Sequence, residues 1–187
     1  MKLRLLSVFM LLSVAVIAQQ KTPPSTADII KEATKIAGKE NKKVFLIFHA
    51  SWCGWCHQMD TAMNSASCKP LFDKSYVVRH VVVKESPAHK AEENSGGEAL
   101  MATYGAAQSG IPYWIIFDKN GKAIADSQVR PEGADIHTTG KNTGCPASKE
   151  EVAYFEKVLK ATSNLKESEI ATIAARFRQI GERMNSH

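Results

Sequence analysis

The run Val44-Phe45-Leu46-Ile47-Phe48 constrains this chain more than any other stretch. Five consecutive apolar, β-favouring residues are too few for a helix and leave no face for water. They read as a strand buried on both sides, as central or parallel strands are. Such a strand needs a layer above and a layer below, and the flanking sequence supplies both. From Thr26 to Asn41, Ala27, Ile30, Ala33 and Ala37 recur near helical spacing, with Ile29 and Ile36 beside them and Ser25 or Thr26 as cap. Gln58 to Asn64 can be helical, and Tyr76 to Val83 is a second β-rich run. Pro87 to Gly97 reads as a loop and Glu98 to Tyr104 as a short helix.

Pro112 opens a third strand, Tyr113 to Phe117. Asp118-Lys119-Asn120-Gly121 then predicts a hairpin turn with positive φ at both Asn120 and Gly121, returning through Lys122 to Ser127. Val129 to Pro146 reads as a polar loop. Ser148-Lys149-Glu150-Glu151 is a capping box leading a helix with Val152, Phe155, Val158 and Leu159 on one face. A last helix from about Glu167 carries an apolar stripe of Ile170, Ile173, Ala174, Phe177, Ile180 and Met184. Packing on the domain is the expected use of that stripe, with a partner helix or dimer seam as the other. Strands alternating with helices predict an α/β layer structure around a central sheet.

The first 18 residues read as a signal peptide. Met1-Lys2-Leu3-Arg4 is a positive start, Leu5 to Ile17 is apolar apart from Ser7 and Ser13, and Val16-Ile17-Ala18 sets small residues for cleavage after Ala18. The apolar stretch is short for a membrane span, which takes about 20 residues. Residues 19–25 form a polar leader, and the mature chain is expected to be exported, periplasmic or secreted. The net charge of +5 falls to +3, 22 basic against 19 acidic residues, once Lys2 and Arg4 are removed. With no basic run longer than Lys42-Lys43, nucleic acid is not an expected partner.

Export makes the four cysteines, Cys53, Cys56, Cys68 and Cys145, candidates for two disulfides. The chemistry centres on Cys53-Gly54-Trp55-Cys56, directly after the buried strand and at the start of a candidate helix. Two cysteines at this spacing close a small ring. The free N–H groups of a helix N-terminus favour the first sulfur as a thiolate, the species that attacks a disulfide. Cys53 is therefore the candidate nucleophile and Cys56 the resolving cysteine. Trp52 and Trp55 would flank the pair as an apolar rim for substrate, or simply pack. A purely structural role is a poor explanation, because so short a loop contributes little when closed. Cys53 to His57 also matches c-type haem attachment, with His57 as axial ligand, but that string follows a β-rich run here. A zinc site on Cys53, Cys56 and a third ligand lacks a second close cysteine pair. No cofactor and no metal are therefore expected.

Phe-Leu-Ile-Phe-His-Ala-Ser-Trp-Cys-Gly-Trp-Cys, then Gly110-Ile111-Pro112, then a strand ending in Asp-Lys-Asn-Gly-Lys, together resemble the thioredoxin superfamily. The Trp-Cys-x-Trp-Cys-His form is similar to its exported disulfide-isomerase and disulfide-reductase group. The resemblance covers residues 26–162, with 163–187 as a helical extension outside it. It implies a thioredoxin-like fold, a central mixed sheet flanked by helices, with an extra C-terminal helix. It implies an exposed nucleophile at Cys53, a buried partner at Cys56 and a cis-proline at Pro112. Ile111 would pair its backbone with an extended substrate. Two departures separate this chain from thioredoxins proper: Ile47 stands where they carry a buried Asp, and Trp55 replaces the proline inside their motif. His49 replaces a common aromatic, and His57 is a candidate modulator of a thiol. Cys68 and Cys145 are a candidate structural disulfide, or one of them is a free thiol. The implied activity is dithiol–disulfide exchange with protein substrates, served by a membrane or soluble redox partner. Reductase action is the first reading, isomerase the second, and a non-catalytic peptide-binding or chaperone-like module the alternative of another class.

Overall fold

The computed structural model describes residues 22–185. The expected signal peptide, residues 1–18, and the first three residues of the expected leader lie outside them. Ser25 caps α1 (Thr26–Glu40), its hydroxyl accepting from the Asp28 N–H at 3.1 Å, and Asn41 ends the helix in the left-handed region. The buried run becomes β1 (Lys43–His49). Then come α2 (Gly54–Met63), α3 (Lys69–Ser75), β2 (Tyr76–Val82), a 3-10 turn (Pro87–Glu92) and α4 (Gly97–Thr103). The hairpin strands are β3 (Tyr113–Phe117) and β4 (Ala123–Asp126). Two short strands follow, β5 (Gln128–Val129) and β6 (Lys141–Asn142), and then α5 (Lys149–Thr162) and α6 (Glu167–Asn185).

The main sheet runs β2-β1-β3-β4. β1 is parallel to β2 and antiparallel to β3, and β3 is antiparallel to β4, so the sheet is mixed. Period-two alternation divides β1 between two cores. Phe45 and Ile47, with Trp114 and Ile116 of β3, face the side covered by α2, α3, α5 and α6. Val44, Leu46 and Phe48, with Tyr113, Ile115 and Phe117, face α1 and α4. Phe45 is the hub of the first core, its ring 5.3 Å from Trp114 and 5.5 Å from Tyr76, centre to centre. Aromatic pairs at such distances contribute about 0.5–1.5 kcal/mol each beyond their buried area.

The structure departs from the sequence reading at three places. Helix α3 was not expected. It is one short element with Pro70 in its first turn and only Phe72 and Ser75 buried, too brief to show a period. In the hairpin only Gly121 takes positive φ, at 82°, and Asn120 does not. The Asp118 carboxylate closes the turn instead, accepting from the Asn120 and Lys122 N–H groups at 2.9 Å each, and a bulge at Ile116/Phe117 absorbs the register shift. The polar stretch from Val129 to Pro146 is not plain loop, because β5 and β6 pair within it.

Candidate redox site at the start of helix α2

β1 delivers the chain to Ala50-Ser51-Trp52, and Cys53 then takes the cap position of α2 with φ −82° and ψ 96°. Cys56 sits one turn on. The Cα atoms are 5.3 Å apart and the two sulfurs form a disulfide, a separation in the ordinary range for a bridge. The Cys56 N–H donates to the Cys53 Sγ at 3.1 Å. On reduction that helix N–H, already aimed at the sulfur, favours the Cys53 thiolate together with the positive end of the helix dipole. The sulfurs that haem attachment or zinc would need are bonded to each other.

The Ile111–Pro112 peptide bond is cis and lies against the bridge. The Ile111 carbonyl oxygen is 3.6 Å from the Cys53 Sγ. A disulfide sulfur has no proton, so in this oxidised state the approach is a contact, and a hydrogen bond only once Cys53 is a thiol. Ala50 and Ile111 enclose the bridge. Cys53 is consequently 3% exposed and Cys56 1%, so the exposed nucleophile implied by the resemblance is covered in this state. Trp52 and Trp55 are exposed at 60% and 41% and flank the bridge.

Three struts hold this geometry, and none has a local sequence signal. Trp52 Nε1 donates to the Lys84 carbonyl at 2.8 Å, while the Lys84 ammonium donates to the Ser109 carbonyl at 2.6 Å, linking the cysteine loop to the proline loop. On the other side Asn142 Nδ2 donates to the Gly110 and Pro112 carbonyls at 2.9 and 3.1 Å. Glu85 accepts from the Ser51 N–H at 2.5 Å and hydroxyl at 2.8 Å. Burial pushes its carboxyl up, but the hydrogen bonds from Ser51 and Ser86 outweigh that and hold it below the usual carboxylate range.

Histidines gather where β1 and β2 approach α2. The His49 and His80 rings lie 4.9 Å apart, and His80 Nε2 meets Asp60 Oδ1 at 2.8 Å. His57 is exposed and points to neither sulfur: its Nε2 donates to the Ser51 carbonyl at 2.9 Å. Burial, with the neighbouring His80, lowers the His49 pKa below 6.5, while Asp60 and Glu85 pull weakly the other way. The unfolded chain therefore binds that proton first as pH falls. The contribution of His49 to stability is whole above pH 6.5 and declines below it. We expect the urea midpoint to fall from pH 7 to pH 5, and His49→Gln to flatten the fall. An equal slope in the variant would refute this. His89, exposed beside Glu92, is shifted upward and acts in the opposite sense in both proteins.

Cys68 and Cys145 are not bridged. Each is a free, buried thiol in the apolar cluster behind the sheet. Cys68 is enclosed at the cap of α3, 3.8 Å from the Ser67 hydroxyl. Cys145 lies beside the proline loop, where burial and then the Glu151 carboxylate push its thiol up to about 12. Thiol titration of the unreduced protein should count two groups in denaturant and essentially none in native buffer. A count of zero in denaturant would restore the bridge.

A family model of the thioredoxin-like domain matches residues 30–134, more than half of the chain. The protein belongs to that family, and its cysteine pair is of the redox type. No curated protein sequence matches the chain. Among solved structures it is similar to a disulphide isomerase from Xylella fastidiosa, at 21% identity over 60% of this chain and 80% of that one, TM-score 0.46. It is also similar to a DsbH oxidoreductase, at 22% identity over 83% of this chain and 94% of that one, TM-score 0.39. A third is the DsbD C-terminal domain of Neisseria meningitidis, at 15% identity over 73% and 98%, TM-score 0.39. Among the described residues no helix is long and apolar enough to cross a membrane, and no group of three or more His, Cys, Asp or Glu side chains could hold a metal ion.

Proposed function

We propose that this protein is an exported thiol–disulfide oxidoreductase that reduces disulfides in other exported proteins. One observation carries the reading: a disulfide on the first turn of a helix, one sulfur accepting a helix N–H and lying against a cis-proline loop. Starting from the dithiol, the Cys53 thiolate attacks one substrate sulfur. The substrate S–S bond breaks, its other sulfur leaves as a thiolate and takes up a proton, and a mixed disulfide forms on Cys53. Cys56 then gives up its proton and attacks the Cys53 Sγ, releasing the second substrate thiol and closing the Cys53–Cys56 bridge. Two electrons pass to the substrate, and a membrane or soluble dithiol partner must return them. Ile111 would offer its backbone to the substrate chain, beside Pro112, while Trp52 and Trp55 form an apolar rim. His57 is assigned to holding the Ser51 turn. Export rests on the sequence of residues 1–18.

The test is equilibration of the protein with defined thiol–disulfide buffers, followed by tryptophan fluorescence, alkylation and mass analysis. Motifs of this kind span roughly −270 to −120 mV. A reversible Cys53–Cys56 couple near the low end supports the reductase. The same couple near the high end replaces it by an oxidase or isomerase. No couple would leave a peptide-binding module.

A further inference from the structure

Trp52 and Trp55 flank the bridge, and another exposed apolar side chain, Met184 of α6, stands across a groove from Trp55. Met184 and Trp55 line one groove of about 600 Å³, together with Gly54, Gln58, Ile180 and Arg183. α6 lies beyond the residues the family model matches, so this wall is an addition to the domain. The helix is firmly seated. Ile173, Ala174, Phe177 and Ile180 are buried, and Lys74 meets Glu169 at 2.7 Å. Gly181 lies so close to the Ala147 backbone that a Cβ there would stand 2.3 Å from its carbonyl oxygen. Trp55 also borders a second groove of about 350 Å³, with Gly110, Ile111, Pro112 and Asn142. The two grooves share Trp55 as a wall, and the Cys53–Cys56 bridge lies beside it.

We propose that α6 completes a binding track for the polypeptide segment that carries the reacting cysteines of a substrate. The proposal rests on the redox reading of Cys53 and Cys56. The substrate main chain runs along Gly110–Pro112, and an apolar side chain a few residues from its cysteine enters between Trp55 and Met184, over Ile180. Continuity with the bridge argues for this occupant. Both grooves meet at Trp55, so a segment whose main chain lies along Gly110–Pro112 can extend a side chain to Met184 without leaving the site. The groove's size suits a ligand of several groups, and an apolar pocket beside a main-chain track is a common way to recognise extended peptides.

The experiment uses disulfide-linked peptides of one Gly/Ser sequence, with a single Leu walked through the positions on either side of the cysteine. At one or two positions Leu should raise kcat/KM for reduction about tenfold over Ser, the scale expected for burying one such side chain. In Met184→Asp that Leu-to-Ser ratio should fall toward one. Met184 is exposed, so the substitution does not threaten the fold. Reduction of every peptide at one rate would overturn the groove and leave the redox reading standing. Reduction of none would overturn the redox reading, and the groove with it. A Leu preference that survives in Met184→Asp, or a wild-type dimer that the variant dissolves, would also overturn the proposal, the dimer by giving the groove to a second copy.

Discussion

Cys53→Ser should abolish disulfide reduction, lowering kcat/KM about 10³-fold or more, as removal of a nucleophile does. Cys56→Ser should fail differently. Its Cys53 can still attack, but the internal thiol that releases the substrate is gone, so a covalent adduct accumulates and appears in the intact mass. The asymmetry follows from position: Cys53 caps α2, accepts a helix N–H and lies against the Ile111 carbonyl, while Cys56 lies a turn deeper. Neither Cys68 nor Cys145 should substitute: the Cys68 side chain accepts no N–H at the cap of α3, and Cys145 is held protonated at ordinary pH. Full activity in Cys53→Ser would end the assignment.

Arg130→Ala should be the most damaging change away from the cysteines. The guanidinium forms a two-pronged pair with Asp126, both contacts 2.7 Å, and donates to the carbonyls of Thr138 at 2.7 Å and Ile136 at 2.8 Å. The Asp126 side chain is wholly enclosed. Breaking such a pair leaves a buried, uncompensated charge, a loss of about 3–5 kcal/mol, to be read from urea unfolding. A double change, Asp126→Asn with Arg130→Met, should regain most of it, because the unpaired charge goes as well. A loss below about 1 kcal/mol in Arg130→Ala, the scale of an exposed pair, would contradict the buried network. The same network braces the segment from β5 to β6, whose Asn142 grips the proline loop, so substrate reduction should weaken in Arg130→Ala even where the protein remains folded.

What the sequence showed plainly was whatever burial writes into a local period. The β1 and β3 runs, the α1 stripe and the Ser148 box, whose hydroxyl accepts from the Glu151 N–H at 3.2 Å, appear close to their expected places. The cysteine pair was legible because its spacing, its preceding strand and its following helix all carry the same signal. The braces around it were not. Glu85 grips Ser51 from 34 residues away, and His80 comes beside His49 only through the parallel register of β1 and β2. β5 and β6 are two residues each and are held by side chains, Arg130 and Gln128 among them, so no periodicity marks them. The apolar stripe of α6 foretold packing, but not that its end would stand beside Trp55.

With Ile111 and Ala50 packed over it, the Cys53–Cys56 bridge should exchange slowly with dissolved small thiols and disulfides, so equilibration in such buffers takes time rather than failing. Exchange depends on access as well as potential. A bridge covered in this way would take up electrons slowly from the surrounding pool, and faster from a protein partner whose docking moves Ile111 aside. The rate of exchange would then depend on which partner can open that contact, while its direction stays with the potentials.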